Sequence, residues 1–153
     1  MKALAFAVVL CVSLGLASVA AAAVIEGTSG DDTLVGTPSA DTIHAKAGSD
    51  MVTALRGRDT VYGGRGADRL RGGAGRDTLN GNRSADHLVG GPGTDTLNGR
   101  RDNDMINADD GSAGDTVTCG DGEDTVSADD GDAIASDCEH VIQVIASTSS
   151  ANA

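Results

Sequence analysis

The feature that most constrains this chain is a nine-residue period. Starting at Asp32, aspartates recur without a slip at Asp41, Asp50, Asp59, Asp68, Asp77, Asp86, Asp95 and Asp104. Two residues after each stands an aliphatic: Leu34, Ile43, Val52, Val61, Leu70, Leu79, Leu88, Leu97 and Ile106. Two extra residues then intervene, and the pattern resumes at Asp115/Val117 and Asp124/Val126 before a shortened unit ends it at Asp132/Ile134. Neither the helical period of 3.6 nor the strand period of 2 produces such a clock. A fixed supersecondary unit stacked on copies of itself does.

Each unit divides into a glycine-rich half and a short extended half such as "DTL" or "DTV". Threonine and β-branched residues suit strands, and glycines permit the positive φ that a tight turn needs. Asn80-Gly81 and Asn98-Gly99 carry hairpin-turn chemistry. An isolated hairpin with three-residue strands would not be stable, however, so the units are expected to stack along a coil.

Composition explains why stacking alone is not enough. Residues 1–23 are set apart as a signal peptide. Met1 and Lys2 open it, Ala3 to Leu16 is apolar, and Ala20 to Ala23 supplies small residues for cleavage near Ala22 or Ala23. The apolar run is shorter than the ~20 residues of a membrane span, and Leu10 before Cys11 does not suit a lipoprotein signal. Beyond this segment the only aromatic is Tyr62. A chain with so few large apolar side chains and a net negative charge tends towards disorder unless something besides packing holds it.

The charge is divided. From Val24 to Arg101 ten acidic residues face ten basic ones, whereas from Asp102 onward there are thirteen acidic residues and no lysine or arginine. An acidic tail of this kind repels nucleic acid and anionic membrane and favours cations.

"GGRGADRLR", "GGAGRDTLN" and "GGPGTDTLN" resemble the G-G-x-G-x-D-x-U-x nonapeptide of the RTX, or haemolysin-type, calcium-binding repeat proteins. The resemblance runs from Gly27 to about Ile134. It implies an all-β fold, a right-handed parallel β-roll of about five to six coils over residues 24–135. Two nonapeptides make one coil, the aliphatic residues point inward, and several Ca2+ ions sit between neighbouring turns. Calcium takes 6–8 oxygens at ~2.3–2.6 Å from carboxylates and carbonyls, which a glycine turn with one aspartate can supply.

With two units per coil, residues eighteen apart share an edge. One edge carries Asp41, Asp59, Asp77 and Asp95, the other Asp32, Asp50, Asp68, Asp86 and Asp104. The resemblance implies metal ligands at these aspartates and at Asp124. It also implies ligands in three complete turns: Gly63 and Arg65; Gly72, Gly73, Ala74 and Gly75; and Gly90, Gly91, Pro92 and Gly93. The strongest site is expected between the turns at Gly72 and Gly90, with Asp77 and Asp95. On the other edge the intact Gly63 turn is flanked by "AKAGSD" and "GNRSAD", where Lys46 and Asn82 replace the second glycine and Ser84 the third. Arg56, Arg58, Arg65, Arg76, Arg83, Arg100 and Arg101 crowd the turns, either as a solvated charge-balancing surface or as partners for turn aspartates.

Cys119 and Cys138 lie nineteen residues apart, about one coil, and are expected to form a disulfide that staples a C-terminal cap. Residues 136–146 are assigned to that cap, with Val141 to Ile145 as its strand, and 147–153 to a disordered tail. Thr42, Thr60, Thr78 and Thr96 should form an outward threonine column, followed two residues on by His44, Tyr62, Asn80 and Asn98. Thr33, Met51, Arg69, His87 and Met105 on the other sheet show no such order.

No G-x-S-x-G, H-E-x-x-H or phosphate loop is present, and His44, His87 and His140 are isolated. The chain is therefore read as a secreted, extracellular bacterial calcium-binding protein that folds with calcium and is not an enzyme, its partners being calcium ions and an extracellular surface or polysaccharide, with no nucleic acid and no membrane span. Two alternatives are an adhesin or matrix component presenting the threonine face to glycan, ice or another surface, and an accessory module of an enzyme on another chain.

Overall fold

The computed structural model describes residues 21–144, and the signal-peptide assignment and the C-terminal tail lie largely or wholly outside them. Fourteen short strands build two all-parallel sheets of seven strands each, and there is no helix among the described residues. The first sheet takes β1 (Val24–Glu26), β3 (Thr42–Ala47), β5 (Thr60–Arg65), β7 (Thr78–Arg83), β9 (Thr96–Arg101), β11 (Thr116–Asp121) and β13 (Ala133–Ile134). The second takes β2 (Thr33–Val35), β4 (Met51–Gly57), β6 (Arg69–Gly75), β8 (His87–Val89), β10 (Met105–Asn107), β12 (Thr125–Asp129) and β14 (His140–Val144).

The chain alternates between the sheets at every strand, so each successive pair is one coil. Register advances by eighteen residues, as in Val61↔Leu79↔Leu97. The two-residue insertion is absorbed in a loop, so the step across it is twenty, as in Leu97↔Val117 and Ile106↔Val126, and the last steps shorten, as in Val117↔Ile134 and Val126↔Val141. The coils number about seven, against the five to six expected from the repeats. The difference arises because β1 and β14, which carry no glycine-rich motif, also join the sheets.

Every predicted inward aliphatic from Leu34 to Val126 is buried, and Ile134 packs against them at one end. A second row that the pattern did not suggest lies beside them: Ala45, Ala54, Ala108, Cys119 and Ala128 occupy the first turn position, where other units have glycine. Several strands also run on into their turns, β4 and β6 reaching seven residues, because the turn backbones pair with those of the next coil.

The Cys119–Cys138 disulfide is present, with the Cα atoms 5.2 Å apart. It ties β11 to the segment leading into β14, which pairs with β12 through Val126↔Val141. The threonine column is in register across the first sheet and half-buried from Thr42 to Thr96. Beside it His44 stacks on Tyr62 with ring centroids 4.8 Å apart.

Candidate metal centre

The turns are held open by backbone geometry that the sequence repeats imperfectly. Gly73 and Gly75 have φ of 113° and 145°, and a Cβ on either would collide with the carbonyl oxygen of Leu55 or Gly57 one coil below. Where glycine is missing the backbone keeps the same left-handed bend. Lys46, Leu55, Asn82 and Arg100 take φ of 81–89° at the second turn position, and Ser84 and Asp102 take 76° and 70° at the fourth. Such residues cost roughly 1–2 kcal/mol each outside glycine. Stacking on the neighbouring coils imposes the turn regardless.

The repeat aspartates lie at the end of each turn, and all of them from Asp32 to Asp124 are buried. They form two ladders. One carboxylate oxygen, Oδ1, accepts a hydrogen bond from the backbone N–H of the aspartate one coil earlier: Asp32 donates to Asp50, Asp41 to Asp59, and so on to Asp104 donating to Asp124, at 2.7–2.9 Å. The aspartate pitch is therefore enforced by the backbone.

The second oxygen, Oδ2, separates the turns into two kinds. At Asp50, Asp59, Asp68, Asp77, Asp86, Asp95, Asp104, Asp115 and Asp124 it is buried with no hydrogen-bond partner. In the glycine-headed turns it reaches back across the mouth of its own turn. A Cβ added at Gly72 would lie 2.6 Å from Asp77 Oδ2 and 2.9 Å from the Gly90 carbonyl oxygen of the next coil. Asp32 and Asp41 differ. Thr28 donates its backbone N–H and its hydroxyl to Asp32 Oδ2, and Thr37 does the same for Asp41. Threonine at the second turn position supplies what the other turns lack.

Carbonyl oxygens complete the cradle. The Gly72 and Gly90 turns are zipped by Gly73 N–H donating to Gly90 O and Gly75 N–H to Pro92 O, both at 2.9 Å, and Gly48 N–H donates to Arg65 O at 2.9 Å. Each of these carbonyls retains a second lone pair. Gly63, Gly91, Gly93 and Ala74 line the same turns. No group of three His, Cys, Asp or Glu side chains gathers among the described residues. A cation here must be held mainly by backbone oxygens plus one carboxylate per turn, which suits a hard ion.

Burial is the first cause that raises these carboxyl pKa values, partly offset by the N–H bond each accepts, with neighbouring carboxylates adding to the rise in most. Asp86 is pushed up to about 8, Asp95 and Asp104 to about 7, and Asp59, Asp68 and Asp115 to about 6. Asp50, Asp77 and Asp124 are also raised. Nine half-satisfied buried carboxylates each want a proton or a cation.

The model of the RTX calcium-binding nonapeptide repeat matches four times, over residues 26–61, 44–79, 53–88 and 80–113. This chain belongs to that family. Its RTX repeats bind Ca2+ at several positions, and the orphaned Oδ2 atoms and carbonyl-lined turns fit that ion. No curated protein and no solved structure matches the chain.

Within this RTX roll the structure brings each expected pair of turns together on its edge, Asp77 beside Asp95 included. Asp115 is absent from the expected site residues although Asp115/Val117 keeps the aspartate-aliphatic signature after the insertion, as Asp124/Val126 does, and its Oδ2 is orphaned like the others. The nine-residue rule also passed over Thr28 and Thr37, whose signal is a Gly-Thr pair ahead of the aspartate. Pairing of arginines with turn aspartates does not occur: Lys46–Glu26, at 3.0 Å, is the ion pair found among the described residues.

Proposed function

We propose that the exported chain is a calcium-dependent folding unit in which each ion is held by an orphaned aspartate Oδ2 and the carbonyls of adjoining turns. The observation that carries this reading is the set of nine buried Oδ2 atoms without hydrogen-bond partners, against two that threonine satisfies. Calcium, when bound, supplies positive charge that the protein offers nowhere inside these turns.

The residues have separable parts to play. The N–H ladder holds each Oδ1 and so aims Oδ2; glycines at the first and second positions let carbonyls approach; the inward aliphatics exclude water from one side. Asp77 and Asp95, between the complete Gly72 and Gly90 turns, form the strongest site. Asp32 and Asp41, already bonded to threonine, contribute least. An N-terminal segment with signal-peptide character supports export, where millimolar calcium would load sites of ~10⁻⁴–10⁻³ M affinity. The role is structural calcium binding without catalysis.

Far-UV circular dichroism in calcium and in excess chelator tests the core of the reading; a compact roll unchanged by chelator would overturn it. Calcium titration of Asp77→Ala against Asp50→Ala tests the ranking, with the larger loss expected for Asp77→Ala and equal losses refuting it.

A further inference from the structure

The sequence sums to a net charge of −12, yet the middle of the roll presents the opposite sign. Between Lys46 and Arg101 the acidic residues are Asp50, Asp59, Asp68, Asp77, Asp86 and Asp95, and all six are buried. All ten lysines and arginines in the same stretch are exposed. Between these two positions the roll has turned its carboxylates inward and its cations outward; the first exposed acid beyond Arg101 is the adjacent Asp102, whose Oδ2 accepts from the Ser84 N–H at 2.9 Å. Only Lys46 has an acidic partner among the described residues.

The cations are also ordered. Arg65 and Arg83 stand in register on successive coils, and Arg101 continues the same turn position one coil further. Strand spacing places such neighbours about 4.8 Å apart. Arg83, Arg100 and Arg101 line a groove of about 480 Å3 with Asn82, Asn98 and Thr118. Its floor is partly fixed: Asn98 Nδ2 donates to Asn80 Oδ1 at 3.2 Å and Arg100 Nη2 to the same oxygen at 3.4 Å. Asp121, in register with Arg101, closes one end of the groove with negative charge.

We propose that this arginine-lined edge, from Arg65 through Arg83 to Arg100 and Arg101, is a docking groove for an acidic polysaccharide. Guanidinium forks pair bidentately with carboxylate or sulfate, and the amides and hydroxyl beside them match sugar hydroxyl groups. The repeat of cations along a straight edge suits a linear polymer with a charge on each sugar. Nucleic acid is disfavoured by chemistry. Tyr62 lies on β5, the strand that ends at Arg65, one coil from Asn80, and no aromatic side chain lines the groove between Arg83 and Arg101 on which bases could stack. The acidic C-terminal coils keep their negative charge, and backbone N–H groups hold several of their carboxylates in place: Asp110 accepts from Gly93 and Ser112, Asp129 from Asp110 and Gly111, and Asp132 from Gly114 and Asp115. Their repulsion of a polyanion confines the docking edge to the middle of the roll. This surface is separate from the threonine column and from the calcium turns' interior.

The test uses the calcium-saturated chain at moderate salt, with binding measured to short oligogalacturonate, to dextran sulfate, to neutral dextran and to duplex DNA. The expected result is binding to one or both acidic glycans that weakens as salt rises, and none to neutral dextran. The combined variant Arg83→Gln, Arg100→Gln, Arg101→Gln should weaken it at least about tenfold. Arg58→Gln with Arg76→Gln, on the opposite edge, should change it less than about twofold. Circular dichroism and calcium stoichiometry of each variant separate loss of the groove from loss of the roll, and Arg101→Gln alone serves if the combined variant folds poorly. Equal binding by wild type and groove variant, binding to neutral dextran as tight as to the acidic glycans, tighter binding to DNA, or no binding to any glycan by a fully folded protein would each overturn the proposal.

Discussion

Removing calcium should convert this protein into one that is most stable in mild acid. Asp59, Asp68 and Asp115 are raised from 3.8 to about 6, Asp95 and Asp104 to about 7, and Asp86 to about 8. The metal-free roll therefore binds protons that the unfolded chain releases. The stability these groups contribute is fully present below the unfolded carboxyl value near 4 and is lost as pH rises through 6 to 8. Raising one carboxyl from 3.8 to about 6 corresponds to roughly 3 kcal/mol at neutral pH, and water reaching the turn edges reduces that to roughly 1–2 kcal/mol. Six such groups reach on the order of 10 kcal/mol, comparable to the whole stability of an ordinary domain. The assay is urea unfolding followed by far-UV circular dichroism from pH 4 to 8, in chelator and in millimolar calcium. In chelator the midpoint should fall most steeply from about pH 4 to 6 and level off near pH 8, and in calcium it should rise over the same range, because protons and the ion compete for the same Oδ2 atoms. A metal-free midpoint that is flat or climbs from pH 4 to 8 would refute the argument that orphaned carboxylates set the calcium requirement.

Other consequences concern single positions. Asp41→Asn should leave calcium stoichiometry unchanged by titration calorimetry, because Thr37 already bonds that carboxylate, whereas Asp95→Asn should reduce it. Leu55→Gly should stabilise the calcium-loaded roll by about 1 kcal/mol, read as a raised Tm, since Leu55 sits at φ 87° with its side chain partly exposed. Reducing the Cys119–Cys138 disulfide should cost about 3 kcal/mol by loop entropy, seen as a lower urea midpoint with the calcium dependence of folding retained. Leu79→Ala, at a fully buried position in the middle of the first sheet, should cost about 2–5 kcal/mol in the same measurement.

Much of this architecture is written in the order of residues. The Asp-x-aliphatic spacing determines which side chains point inward, because strand alternation places the residue two after each aspartate on the inner face. The eighteen-residue coil assigns Asp77 and Asp95 to one edge and Asp68 and Asp86 to the other. The nineteen-residue gap between Cys119 and Cys138 anticipates their bond. These properties follow from local periodicity, which a linear chain states directly. The tertiary structure decides what depends on neighbours one coil away. Left-handed bends at Leu55 and Arg100 exist because the stacked turns leave no other path for the backbone. Asp32 is satisfied while Asp50 is not, because a threonine hydroxyl reaches one Oδ2 and nothing reaches the other. The sign of the surface is the clearest case. A count of charges places ten acids against ten bases from Val24 to Arg101, and only folding turns most of those acids inward and leaves the bases in water, since each aspartate is drawn in by a backbone N–H that the arginines, on the outer positions of the turns, never meet.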